Sequence, residues 1–188
     1  MATFKLLESD NAVLKVKLED CNSELNRQEL KDNLIETMQH YEGIGLSANQ
    51  VGILERVFVM YNHIETKQIM AVFNPKIIKE GKEKVLIDEG CLSYPGLWVK
   101  VSRSETIEVE YEDEKGEKIQ RELYGLQSRI FQHEYDHMEG SNFTEKVSKL
   151  KLDMALKKQK KMNELTDKLR KKTEERLSQD KEYQQLIS

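Results

Sequence analysis

His133, Glu134 and His137 stand in the order H-E-x-x-H within the stretch "QHEYDHMEG", residues 132–140. Four residues along a helix turn through about 400° and rise about 6 Å, so both imidazoles project from nearly one face and can reach one ion. In such a pattern the glutamate serves as a base for the attacking water and does not ligate the metal. Only three of the five positions are specified, so the same residues also occur on helices that merely turn an inner face to the core. Two histidines seldom hold a catalytic ion alone, and the chemistry turns on a third donor.

Where that donor lies follows in part by elimination. A metzincin would place a third histidine at 143, where this chain has Phe143. A thermolysin-like enzyme needs a glutamate on a downstream helix, but "DMALKKQKK" there centres on Lys157. His40 and His63 each lie in polar surroundings and read as surface residues. Upstream, Cys91 in "DEGCLSYPG" offers a thiolate, which with two imidazoles completes a three-ligand site open at one position. Cys21, in the polar "LEDCNSE", has no partner motif and reads as a bystander.

The elements that must hold these residues are legible in outline. Leu30, Leu34, Met38 and Tyr41 recur at helical spacing between Asn26 and Tyr41, and Asn26 with Glu29 resembles a capping box. The glycine-containing "EGIGLSANQVG" then ends the helix in a loop. "RVFVM", "QIMAVFNP" and "KVLID" read as strands, and "ETIEVEYEDEKGEKIQREL" alternates on both sides of a glycine turn, which predicts a hairpin. Gly125 to Met138 returns to helical spacing, with Gly140 as its stop. From Val147 onward runs a Lys-rich, Leu-punctuated helix without glycine or proline. Residues 1–22 give no clear pattern. The order predicts an α+β fold, with antiparallel sheets packed around a central metal-binding helix and a long C-terminal helix.

The chain has 188 residues, 38% hydrophobic and 34% charged, with two prolines; that suits a soluble globular protein with exposed helices and argues against disorder. The opening "MATFKLLESDN" lacks a signal-peptide stretch, and no window approaches a membrane span, so a cytoplasmic, membrane-free protein is expected. Between Lys146 and Arg176 twelve basic residues face five acidic ones; that net +7 leaves −11 for the rest of a chain totalling −4.

Three segments together resemble the peptide deformylases: "GIGLSANQ" at 43–50, "EGCLS" at 89–93 and "QHEYDH" at 132–137. Each is weak alone, but all three occur in the family's order, and the match covers roughly residues 30–145. The resemblance implies hydrolysis of the N-formyl group from the formyl-methionine of nascent polypeptides, a step of protein biosynthesis. It implies Cys91, His133 and His137 as metal ligands and Glu134 as general base. Gln50 and the backbone N–H of Leu92 would be oxyanion donors. Backbone around Gly45 would take the substrate as an added strand, and Ile44 would line the methionine pocket. It implies one divalent ion, with iron(II) favoured and zinc, nickel or cobalt as possible occupants. Asp136 is expected to orient a neighbour or the helix and to take no part in catalysis. Ser47 stands where the family has alanine and is expected to put a hydroxyl near the substrate edge.

The opening twenty-odd residues do not match the family's start. The expected organisation is a catalytic domain over 1–146 and a basic helical extension over 147–188, in a monomer. For that extension two readings stand. Leu150, Met154 and Leu165 would pack it on the body while its lysines face water, or its charge would direct the chain to the phosphate-rich ribosome. A non-catalytic ribosome- or partner-binding relative is the alternative function, as is another H-E-x-x-H peptidase.

Overall fold

The computed structural model describes residues 3–22, 24–63 and 65–186, with side chains up to Ser178. Among the described residues the α-helices are α1 (Arg27–His40), α2 (Gly125–Met138) and α3 (Lys149–Leu186). Seven strands are β1 (Gly45–Ser47), β2 (Val57–His63), β3 (Gln68–Glu80), β4 (Lys84–Cys91), β5 (Tyr94–Ser104), β6 (Thr106–Glu112) and β7 (Lys118–Tyr124). They form an antiparallel five-stranded sheet in the order β1-β2-β3-β6-β7 and a separate β4–β5 hairpin. The α+β expectation holds.

Strand β2 shows why the sheet sits where it does. Successive side chains of a strand point to opposite faces, and Val57, Phe58, Val59 and Met60 are all buried. Phe58 and Met60 join Val72, Val109, Ile130, Phe131 and Met138 in a core beneath α2. Val57 and Val59 join Leu30, Leu34, Met38 and Phe73 in a second core beneath α1. The apolar run at 57–60 is therefore a strand covered on both faces, with a helix on each.

Helix α1 is capped by Asn26, whose side chain accepts from the Glu29 N–H, so the predicted cap is present. The expected hairpin is β6–β7, closed at Asp113–Glu117, where Asp113 Oδ1 accepts from two backbone N–H groups. Helix α2 stops as a Schellman motif. The Gly140 N–H reaches the His137 carbonyl and the Ser141 N–H reaches that of Asp136, with Gly140 at φ +70°.

Strand β5 was not expected. It inserts Leu97, Val99 and Val101 into a third core with Phe143, which Leu152 and Ala155 of α3 complete. The opening residues also have a place: Leu14 and Leu18 are buried, and the Leu18 N–H bonds the Met138 carbonyl at the end of α2.

The packing expected of α3 is corrected. Leu150, Met154 and Leu165 are 71%, 64% and 48% exposed. The stripe facing the body is Leu152, Ala155 and Gln159, whose Nε2 donates to the Pro95 carbonyl at 2.7 Å. The predicted apolar positions lie one helical face away from that stripe. From Lys160 to Ser178 every side chain is exposed. Among the described residues no helix is long and apolar enough to cross a membrane.

Candidate metal centre and catalytic site

The helix spacing and the β4–β5 turn bring the third donor to the first two. Strand β4 ends at Cys91, which pairs with Tyr94 across the tight Leu92–Ser93 turn. That turn presents the thiol to the inner face of α2. The donor atoms of Cys91, His133 and His137 lie within 4.8 Å of one another, and Cys91 Sγ is 3.4 Å from His137 Nε2. A tetrahedral ion with ordinary metal–sulfur and metal–nitrogen bonds would set such donors about 3.6 Å apart. One soft thiolate and two imidazoles therefore fit a divalent ion in both spacing and donor type. His40 and His63 are exposed.

A shell of buried charge surrounds the donors. The Glu89 carboxylate accepts from Arg103 Nε (2.7 Å) and Nη2 (2.9 Å), from Arg129 Nη1 (2.6 Å), and lies 3.1 Å from His133 Nδ1. Arg103 continues to Asp136 (2.9 Å), and Asp136 to Lys146 (2.9 Å). Asp136 thus orients Arg103 and touches neither imidazole through any contact seen, in line with the expectation for it. Phe143 packs against the His133 ring with centroids 5.6 Å apart. Asn49 Nδ2 donates to the His137 carbonyl at 2.9 Å.

Burial and neighbouring charge push the groups of this site in opposite directions. Burial would raise the Glu89 carboxyl, but hydrogen bonds from His133 and Arg103 outweigh it and hold it at about 2. Burial pulls the His133 imidazole down, yet its contacts with Cys91 and Glu89, and the Cys91 and Glu134 charges, lift it to about 10. His137 moves the opposite way, lowered by burial and by the facing His133 and Arg103 charges. Two imidazoles driven apart in this manner do not both carry a proton.

Glu134 and Gln50 face the same space. Glu134 is 4% exposed, and burial raises its carboxyl against the opposing pull of His133, Ser47 and Arg103. A buried carboxylate with a raised pKa takes up a proton more readily than a free one, as a group that accepts and returns a proton must. Gln50 is pinned at both ends: its Oε1 accepts from the Ser47 N–H at 2.9 Å, so its Nε2 points at Cys91 Sγ (3.3 Å) and Ser93 Oγ (3.2 Å).

A cavity of about 900 Å³ opens over this group, lined among others by Ile44, Gly45, Gln50, Cys91, Leu92, His133 and Glu134. All eight expected site residues thus converge, with His137 behind the lining. Ile44 is 46% exposed at the mouth. A Cβ on Gly43 would lie 2.7 Å from a Leu92 methyl, so the first glycine of "GIG" allows the loop to close over Leu92. Sequence reasoning missed Glu89, Arg103 and Arg129. Glu89 carried a signal, since it lies two residues before the ligand; the arginines carried none, because their role depends on burial. Ser47 is corrected: it is fully buried and its hydroxyl meets Glu134, inward from the cavity.

The polypeptide deformylase family pattern matches residues 3–153, including the opening segment that the motifs left out. Peptide deformylase of Thermotoga maritima is 41% identical over 133 residues, 71% of this chain and 79% of that one. The Thermodesulfovibrio yellowstonii peptide deformylase is 38% identical over 162 residues, 84% of this chain and 97% of that one. The structure of a Synechococcus elongatus peptide deformylase in complex with actinonin superposes with TM-score 0.77 and 33% identity, covering 82% of this chain and 86% of that one.

Proposed function

The chain belongs to the peptide deformylase family, and from that premise we propose how its residues hydrolyse the N-formyl group of an N-terminal formyl-methionine. The observation that carries the reading is the convergence of Cys91, His133 and His137 with Glu134 and Gln50 at one cavity.

The Cys91 thiolate and the His133 and His137 imidazoles would hold one divalent ion, which when bound would supply a Lewis acid that brings the pKa of water towards neutrality. Iron(II) is the favoured ion by family resemblance; zinc suits one cysteine and two histidines, and nickel or cobalt are further occupants. Glu134 takes a proton from the attacking water and later gives it to the leaving amine. Between those transfers, Gln50 Nε2–H and the Leu92 N–H donate to the oxyanion of the tetrahedral adduct. Backbone at Gly45 pairs with the extended peptide, and Ile44 contacts the methionine side chain. The products are formate and a free amino terminus. The retention of every one of these groups favours turnover over a non-catalytic binding role.

In the same reading residues 1–146 form the catalytic body of a cytoplasmic monomer, and 147–188 form a basic extension that meets the ribosome. The charge is uneven along that extension. Residues 146–163 carry seven lysines and one aspartate, whereas 164–188 carry six residues of each sign. The ribosome-facing element is therefore the proximal half of α3, beside the body. The test of function compares a short formyl-methionyl peptide with its unformylated twin. Formate release from the first and no cleavage of the second are expected; cleavage of the unformylated chain would make the protein a peptidase.

A further inference from the structure

Residues 45 and 47 of β1 lie two apart, so both project to one face of the strand. That face meets the carboxylate of Glu134. A Cβ at Gly45 would lie 2.4 Å from Glu134 Oε1 and 2.9 Å from a methyl of Ile130, so only glycine admits the first oxygen. At Ser47 the hydroxyl donates to the second oxygen, Oε2, at 2.6 Å. It also lies 3.3 Å from the Glu134 backbone carbonyl, but an O–H bond shortens and strengthens when its acceptor is charged, so the carboxylate contact dominates. Ser47 is fully buried and is absent from the cavity lining, whereas Gly45 belongs to it.

We propose that Ser47 is a positioning residue: its hydroxyl clamps Oε2 of Glu134 and leaves Oε1, the oxygen beside Gly45, as the one that exchanges the proton. This deepens the role proposed above for Glu134 and rests on it. Nothing else among the described residues gives Oε2 a hydrogen bond, so without the hydroxyl the carboxylate is free to rotate between the wall and the cavity. The side-chain and backbone contacts of Ser47 are separable. Its N–H fixes the Gln50 side chain whatever residue 47 carries, whereas its Oγ donates to Glu134 and also caps the Gln50 backbone N–H, a contact that the Glu134→Gln background leaves in place. Strand β1 thereby sets the oxyanion donor and the base from one residue, two positions from the backbone proposed to receive the peptide.

The test is a double-mutant cycle on the full, metal-loaded chain with a formyl-methionyl peptide, using Ser47→Ala, Glu134→Gln and both together. Alanine is smaller than serine and fits the site, and thermal unfolding and metal content of each variant verify folding and loading. Ser47→Ala is expected to lower kcat by roughly 10- to 150-fold, the range of a charge-assisted hydrogen bond, with KM unchanged. In the Glu134→Gln background it is expected to change the residual rate by less than about twofold, because the clamp then has no carboxylate to hold. A crystal structure of Ser47→Ala should show the Glu134 carboxylate rotated or in several conformers. Unchanged kcat with Glu134 in place overturns the proposal, as does a loss confined to KM or of equal size in both backgrounds. Full activity of Glu134→Gln alone would instead overturn the role of Glu134 itself.

Discussion

At Glu89 both carboxylate oxygens are filled by two arginines and the His133 imidazole, inside a site where an unpaired charge is costly. The contact to His133 Nδ1 fixes which ring nitrogen is left for an ion, and such supports typically govern metal affinity 10–100-fold. Glu89→Gln is therefore expected to bind its ion about 10- to 100-fold more weakly; competition with a chelator measures it, and unchanged affinity would show that His133 is oriented by packing alone. The same residue makes a pH prediction. Its carboxyl lies at about 2 when folded and near 4.5 when free. A depressed carboxyl stabilises the fold above its unfolded pKa, so this contribution is complete above about pH 4.5 and is lost as pH falls towards 2. In urea unfolding the native chain should lose stability more steeply than Glu89→Gln across that window; parallel losses would place the acid sensitivity elsewhere. Of these residues Cys91, His133, Glu134 and His137 were legible as a group, because their types and spacing are those of the chemistry proposed for them. Arg103 and Arg129 were not, since an arginine announces its partner only once both are buried.

Helix α2 and the hairpin β4–β5 are the elements that make the site, and they differed in legibility. The helix had periodicity and a glycine stop. The stop is also structural: a Cβ at Gly140 would sit 2.6 Å from the Lys15 carbonyl and 2.9 Å from the Lys17 nitrogen, at φ +70°. Gly140→Ala is expected to cost about 1–3 kcal/mol, since both the left-handed backbone and the abutting chain oppose it. Thermal unfolding would register the loss, and an unshifted midpoint would mean that residues 15–17 can give way. Strand β5 was missed although Leu97, Val99 and Val101 alternate with Trp98, Lys100 and Ser102. Its start holds Pro95 and Gly96, residue types that ordinarily interrupt a strand, and the turn that matters is Leu92–Ser93 just before it. The antiparallel pairing of β5 with β4 is what carries Cys91 to α2, so the missing strand was the one that explains the thiol's position.

For the molecule as a whole, the body is acidic and the cations gather where α3 leaves it. Lys157, Lys158, Lys160 and Lys161 are exposed and form no ion pair among the described residues. Their replacement by alanine is expected to weaken ribosome binding and flatten its salt dependence, because each phosphate contact adds to the slope of affinity against salt. Turnover of a short peptide should stay unchanged. Deleting the charge-balanced stretch after Asn163 should affect ribosome affinity far less, and the reverse order of effects would contradict the assignment to the proximal half. The charge run was legible in the sequence; which lysines face outward was not, because the packed stripe of Leu152, Ala155 and Gln159 is set by the shape of β5. The central claim, that one ion held by Cys91, His133 and His137 works with Glu134 on a formyl group, is tested most directly by metal content and formate release measured together on Glu134→Gln. The variant should retain the ion content of the native chain while formate release from a formyl-methionyl peptide falls by about 10²–10⁴-fold. Near-native formate release, or loss of the ion along with activity, would contradict it.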